Sequence, residues 1–175
     1  MSDPYGIPDN MFGDVPEEFP GLVGRVVMMA ALVELKVGHL LMNLPKGGET
    51  QATHAGKPIK GLIELCQARL AARSTEFPLE PTAPAEKISA LLESVKTTLE
   101  QRNGVVHSVW PSSSMDGANG WRHVHVKGQS GRQTEWTRWI DMSEAKFREL
   151  ILLLSKQVDE LSDAIGMTGS MTHLP

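Results

Sequence analysis

Apolar residues recur at helical spacing in four separate stretches of this 175-residue chain, and this feature constrains its fold most. A side chain at every third or fourth position returns to one face of a helix, so each stretch predicts an amphipathic helix. The stretches span residues 22–44, 59–74, 84–106 and 141–165. Four helices with modest connections pack most simply side by side, so the sequence predicts a mainly α fold, an antiparallel four-helix bundle.

Local signals predict where the fourth helix begins and ends. Asp141 is followed three residues later by Glu144, a pattern typical of a capping box at a helix N-terminus. Gly166 follows the last residue of the apolar stripe and is typical of a helix end. The fourth helix is therefore expected to run from Asp141 to the residue before Gly166.

The connection between the third and fourth helices carries a different periodicity. Over residues 121–126, Trp and His alternate with Arg and Val, and alternation of this kind is typical of a strand. Residues 128–131 begin and end with glycine and are typical of a turn, and residues 134–140 form a second strand-like run. The sequence therefore predicts a small β-hairpin between helices three and four.

Length and charge distribution indicate one folded body with two appendages. A chain of this length suits a single domain, and 41% hydrophobic with 22% charged residues is typical of a globular protein. Residues 1–18 hold five acids and no base, within a proline-rich start. We predict an acidic, Pro-rich arm over residues 1–20, the helical bundle over residues 21–166 and a flexible tail over residues 167–175.

Further sequence features bear on location and redox chemistry. The first residues lack the basic and apolar regions of a signal peptide, and no apolar run approaches the roughly 18 residues of a membrane span. The sequence therefore predicts a cytoplasmic protein with no membrane partner. Cys66 is the single cysteine, which excludes an internal disulfide, and its place after an apolar run favours a buried side chain over a nucleophile.

The first helix is apolar on more than one side. Val27, Met28, Leu32, Leu35 and Leu41 widen its apolar surface well beyond the main stripe. A central position in the bundle or an interface between subunits would cover this surface. The second alternative predicts a homodimer.

Two segments of this acidic chain, whose formal charge is −4, are net basic. Residues 46–73 hold five bases against two acids, and residues 101–138 hold the same numbers, so each segment carries a formal charge of +3. Either segment suits an anionic partner, although an ordinary solvated surface produces the same composition.

The end of the third helix concentrates residues that can perform chemistry. With about 100° per residue, Arg102 falls close to the apolar stripe, where a guanidinium is costly unless it is paired or opens into a polar cleft. Asn103 and His107 are four residues apart and therefore share a face. A structural interpretation also exists, in which Arg102 pairs with a buried acid and His107 bonds to a loop carbonyl.

Residues 102–107, Arg-Asn-Gly-Val-Val-His, resemble the signature of the HEPN family, an Arg, a polar residue, a few variable positions and a His. The layout of helices one to four extends the resemblance, although the sequence match is confined to these few residues. The resemblance implies a helical bundle, often dimeric, and in many members a metal-independent ribonuclease with Arg and His of both subunits lining one cleft. It implies Arg102, Asn103 and His107 as the site residues.

We therefore expect a metal-independent endoribonuclease or an RNA-binding effector of a bacterial toxin or defence module. RNA, a second copy of the chain and an antitoxin or other protein are the expected partners, and no cofactor or metal is expected. The alternative is a non-catalytic HEPN-like interaction scaffold. The residues expected to bind RNA are the basic and His side chains of the hairpin region, Arg122, His123, His125, Lys127, Arg132 and Arg138.

Two alternatives for the hairpin region remain open. His123 and His125 are spaced as metal ligands on a strand can be, although surface histidines share that spacing. The tryptophans near the hairpin suit stacking on bases and also suit packing onto the bundle.

Overall fold

The computed structural model describes residues 18–44, 56–76, 83–108, 121–128, 131–138 and 143–171. Their main elements are four helices, which confirms the predicted mainly α fold and fits a helical bundle. The helices are α1 (Phe19–Asn43), α2 (Ile59–Glu76), α3 (Ala83–Val106) and α4 (Glu144–Met171).

The connection between α3 and α4 contains two strands, β1 (Trp121–Gly128) and β2 (Gly131–Arg138). They run antiparallel, and the register pairs His123 with Trp136 and Gly128 with Gly131.

The start of α4 differs from the prediction. The helix begins at Glu144, and Ser143 is its N-cap, because the Ser143 Oγ accepts a hydrogen bond from the Lys146 N–H at 3.4 Å. The Phe147 N–H then donates to the Ser143 carbonyl at 3.1 Å. Asp141, the predicted cap, lies outside the described residues.

The predicted end of α4 at Gly166 is wrong, because the helix continues to Met171. Glycine costs only about 1 kcal/mol relative to alanine inside a helix, which is too little to end a helix that packs further along. Thr168 is such a packing residue, since it is fully buried and its hydroxyl donates to the Ile165 carbonyl at 2.8 Å.

The chain divides into two compact units. The first unit contains residues 1–27 and 101–151, and its described core is built around Phe19 and Phe147. These rings meet edge to face, with centroids 5.2 Å apart and planes at 82°. This geometry is favourable because the positive edge of one ring meets the negative face of the other. The other buried apolar residues of this unit are Leu22, Val26, Val105 and Leu150.

The second unit contains residues 28–100 and 152–175, and aliphatic side chains fill its core. Cys66 is fully buried there, and its thiol lies 3.9 Å from the Val37 carbonyl, which confirms the predicted buried cysteine. The Arg69 guanidinium of α2 donates to the Leu41 carbonyl at 2.6 Å. This bond satisfies a carbonyl in the last turn of α1, where the helix itself supplies no donor and has no basic residue.

Gln157 of α4 is a fully buried amide within the second unit. Its Nε2 donates to the Ser94 hydroxyl at 3.1 Å and to the Thr98 hydroxyl at 2.9 Å, both on α3. Its Oε1 has no hydrogen-bond partner among the described residues. A buried unsatisfied acceptor is costly, so this amide stabilises the packing less than its two hydrogen bonds alone indicate.

We expect Gln157→Met to change the free energy of unfolding by about 1 kcal/mol or less, because it keeps the side-chain volume and removes the unsatisfied oxygen. Gln157→Ala leaves a cavity and is expected to cost about 2 kcal/mol. Urea denaturation of the two variants measures both values. If both variants lost the same free energy of unfolding, the cavity would not be the cause of the loss in Gln157→Ala.

The length and composition of α1 contradict the expectation that no apolar run approaches the length of a membrane span. By length and composition this helix is apolar enough to cross a membrane, and one third of the relevant window is buried within the protein. The expectation that no segment reaches that length is therefore wrong for α1. Core helices of soluble proteins and N-terminal signal sequences meet the same criterion, so this property of α1 is weak evidence for a membrane span.

Candidate functional site

The residues that resemble the HEPN signature lie at the end of α3 and in the turn that follows it. The helix continues without interruption through Gly104 to Val106, and the His107 N–H still donates to the Asn103 carbonyl at 3.0 Å. The i to i−4 pattern therefore extends one residue past the helix. Val105 is buried, and the helix runs through Gly104 without a break.

Arg102 and Asn103 form a side-chain pair at this turn. The Arg102 Nη1 donates to the Asn103 Oδ1 at 3.0 Å, and both residues are half-buried. The contact fixes the direction of the guanidinium and adds no opposing charge, because the amide is neutral. An arginine side chain stays protonated, and its planar fork has the geometry that contacts anions such as phosphate.

His107 lies in the turn that follows α3 and is exposed. Its backbone is held by the bond to Asn103, and the next residue, Ser108, donates its hydroxyl to the Gly104 carbonyl. The main chain around the imidazole is thus tied to the helix end while the ring is accessible. An accessible imidazole on a fixed backbone suits proton transfer to a bound molecule.

The structure assigns Asn103 a different contact from the one expected. The spacing of four residues predicts that the Asn103 and His107 side chains share a face, close enough to form a hydrogen bond. The amide oxygen instead accepts from Arg102, and the bond between Asn103 and His107 joins backbone atoms. In the described contacts, the Asn103 side chain therefore bonds to the Arg102 guanidinium and not to the imidazole.

Arg102 and His107 do not share a face of the helix end. Five residues at about 100° each place their directions about 140° apart. The two side chains of one chain therefore flank the helix end from different sides.

The six residues expected to bind RNA lie on β1 and β2. Successive residues of a strand lie on opposite faces, and two residues paired across the hairpin lie on the same face. The register therefore divides the six residues between the two faces of the hairpin. Arg122 pairs with Thr137 and lies on one face. The opposite face collects the other five with two tryptophans and a threonine: Trp121, His123, His125, Lys127, Arg132, Thr134, Trp136 and Arg138.

Some bases of the basic segment over residues 46–73 make contacts within the chain. Among its bases, Arg69 donates to the Leu41 carbonyl of α1, and Lys60 lies 3.9 Å from Glu64. Exposed ion pairs of this kind contribute little to stability, and this one holds the Lys60 ammonium beside an acid. These contacts favour the interpretation of residues 57–73 as an ordinary solvated surface.

A groove of about 460 Å³ between α3 and α4 of the second unit was not foreseen from the sequence. Lysines and acids both line it, and Lys156 lies 3.5 Å from Glu160 within it. The groove arises from the way two helices pack, which periodicity alone does not reveal. Among residues whose side chains are described, no three His, Cys, Asp or Glu lie close enough to hold a metal ion.

No model of a known protein family, no curated protein and no solved structure matches this chain. The resemblance to the HEPN family therefore stands on residues 102–107 and on the layout of the helices.

Proposed function

We propose that this protein is a metal-independent endoribonuclease, or an RNA-binding effector, of a bacterial toxin or defence module, with Arg102 and His107 as its central residues. The observation that carries the proposal is an exposed histidine in the first turn past α3, one turn beyond a guanidinium held by Asn103. These are the residue types that cleavage of RNA without a metal needs.

The chemistry follows from these groups. Cleavage by the neighbouring 2′-hydroxyl requires a base to take its proton and an acid to protonate the leaving 5′-oxygen, and His107 performs one of these steps. Proton transfer by a positioned imidazole contributes roughly 10² to 10⁴ in rate. Arg102 stabilises the negative charge that develops on the phosphate oxygens by a forked contact, and Asn103 holds its direction.

A homodimer completes this proposed site. Since Arg102 and His107 diverge by about 140° around the helix end, the Arg of one chain and the His of its partner together contact one phosphate. An antitoxin or another protein partner regulates such a site in the proposed module, and the protein acts in the cytoplasm.

The proposal also includes a β-hairpin that carries the RNA-binding residues. Its support is the pairing of β1 with β2 and the register, which collects five of the six expected RNA-binding residues with Trp121 and Trp136 on one face. Basic residues contact phosphates and tryptophans stack on bases, so this face has the composition of a single-strand binding surface.

A catalytically silent interaction scaffold is the second candidate function. The observation that favours it is the apolar surface of α1, where Met28 is 70% exposed and Leu35 is 46% exposed. Large exposed apolar side chains on one helix are typical of surfaces that bind proteins. RNA cleavage separates the two candidates.

We expect the purified protein to cleave a labelled RNA pool in the presence of EDTA and to leave 2′,3′-cyclic phosphate ends, because the proposed chemistry uses the 2′-hydroxyl and no metal. Gel analysis and end-group assignment measure both features. Absence of cleavage, or cleavage abolished by EDTA, would remove the ribonuclease proposal and leave the scaffold.

A further inference from the structure

An elongated groove runs along the second unit between α3 and α4, and we call it the α3–α4 groove. Near one end of it, the Gln157 amide of α4 donates to Ser94 of α3 at 3.1 Å, and Ser94 lines the groove. From that contact the lining residues continue back along α3 to Lys87 and forward along α4 to Met167. The two helices therefore run in opposite directions along the groove.

The base of the α3–α4 groove is apolar. Ile88 and Ala164 are buried there, and Leu91 and Leu153 are half-buried lining residues, one on each helix. These residues recur at helical spacing, so they form one apolar strip along the groove. A strip of this kind between two helices is a surface on which a further amphipathic helix packs with its own apolar side chains.

Four charged side chains border the α3–α4 groove. Lys156 lies 3.5 Å from Glu160, so these two form a neutral pair. Lys87 on α3 and Asp163 on α4 are exposed, and neither has an ion pair or a hydrogen bond among the described residues. Seven residues along each helix from the contact between α3 and α4, the level of Lys87 is within one residue of Asp163. The same end of the groove therefore carries a positive charge on one wall and a negative charge on the other, and both are open to a partner.

The shape of the α3–α4 groove favours a helix over a small ligand. Small ligands typically lie in pockets that enclose most of their surface. The lining residues of this groove instead extend on α4 from Leu153 to Met167, a rise of about 21 Å, and its charged border is exposed. An open groove of this length accommodates about two to four turns of a helix.

We propose that the α3–α4 groove binds an amphipathic helix of a partner protein, whose apolar stripe is flanked by an acid on one side and a base on the other. The acid of the partner pairs with Lys87, and its base pairs with Asp163. A helix flanked by two acids or by two bases meets a like charge on one wall, so charge complementarity selects the mixed helix. The inference rests on the proposed function only for the existence of a protein partner, and it adds the surface and the chemistry by which that partner is recognised.

Three designed helical peptides of about 18 residues, labelled with fluorescein, test the proposal. All three have the same leucine stripe. The first carries glutamate on one flank and lysine on the other, the second carries glutamate on both flanks, and the third carries lysine on both. By fluorescence anisotropy, we expect the wild type to bind the mixed peptide about five-fold more tightly than either of the others, because each of those makes one repulsive charge contact.

Two charge reversals give the walls of the groove a single sign. Asp163→Lys should bind the peptide with two glutamate flanks best, and Lys87→Glu should bind the peptide with two lysine flanks best, each by about five-fold over the mixed peptide. Both positions are exposed, so these variants should keep the wild-type circular dichroism spectrum.

A matched pair of leucine variants tests the apolar strip. Leu153→Glu places a carboxylate on the strip and should weaken binding of all three peptides by about ten-fold or more. Its neighbour Leu152 is 69% exposed and does not line the groove, so Leu152→Glu should keep each Kd within about two-fold of the wild type.

Peptide binding is measured without RNA, so its outcome is separate from that of the cleavage assay. If no peptide binds, or if the charge reversals leave the peptide preference unchanged, the proposal is overturned while RNA cleavage stays untouched. Analytical ultracentrifugation tests the rival occupant. Self-association of the wild type that Asp163→Lys abolishes would assign the groove to a second copy and would equally overturn binding of a partner helix.

Discussion

We expect His107→Ala to lower the rate of RNA cleavage by about two to four orders of magnitude under single-turnover conditions with EDTA present. The reason is that alanine removes the imidazole that the proposed mechanism needs for proton transfer, and this contribution is typically of that size. His107 is exposed and its backbone bond to Asn103 does not involve the ring, so the substitution should leave the fold intact. The measurement is the observed rate constant on a labelled RNA at saturating enzyme.

Ser108→Ala is the control for this substitution. Its hydroxyl bonds to the Gly104 carbonyl in the same turn, so the variant perturbs the helix end and leaves the imidazole in place. We expect it to keep cleavage within a few-fold of the wild type and both variants to keep the helical circular dichroism spectrum. Cleavage by His107→Ala at the wild-type rate would remove this residue from the mechanism and favour the scaffold.

The periodicity of the sequence located the four helices because burial of one face is a strong signal that repeats along each element. Helix ends were predicted less well, since several residues near each end are able to cap. At the start of α4 the described cap is Ser143, and near its end Gly166 lies inside the helix because the following turn packs. Weak local preferences of about 1 kcal/mol are overridden by such packing.

For the candidate site too, the sequence predicted some features and not others. Residue types and their spacing along the chain were sufficient to select Arg102, Asn103 and His107. The pairing of the Asn103 amide with Arg102 and the exposure of His107 were not predictable, because they depend on side-chain rotamers and on the position where α3 ends. The wide apolar surface of α1 was visible in the sequence, but only the structure separates its buried side from its exposed one.

Phe147→Ala should lower the free energy of unfolding by about 3 to 5 kcal/mol, a larger loss than that expected for Gln157→Ala. Phe147 is fully buried, and its ring meets that of Phe19 edge to face at 5.2 Å. Alanine removes the apolar area of the ring and the aromatic contact, and it leaves a cavity that the neighbouring helix turns fill only in part. Because a domain is stable by only about 5 to 15 kcal/mol, the variant should unfold at a clearly lower urea concentration.

Phe147→Leu and Leu152→Ala separate this effect from a general sensitivity of α4. Leucine keeps most of the apolar volume and loses the ring contact, so we expect a smaller cost of about 1 to 2 kcal/mol. Leu152 is largely exposed, and its replacement by alanine should change stability by about 0.5 kcal/mol or less. A loss below about 1 kcal/mol for Phe147→Ala would contradict the description of this aromatic pair as the centre of the first unit. A loss of the expected size would mean that the unit carrying Arg102 and His107 depends on a core formed where α1 and α4 begin.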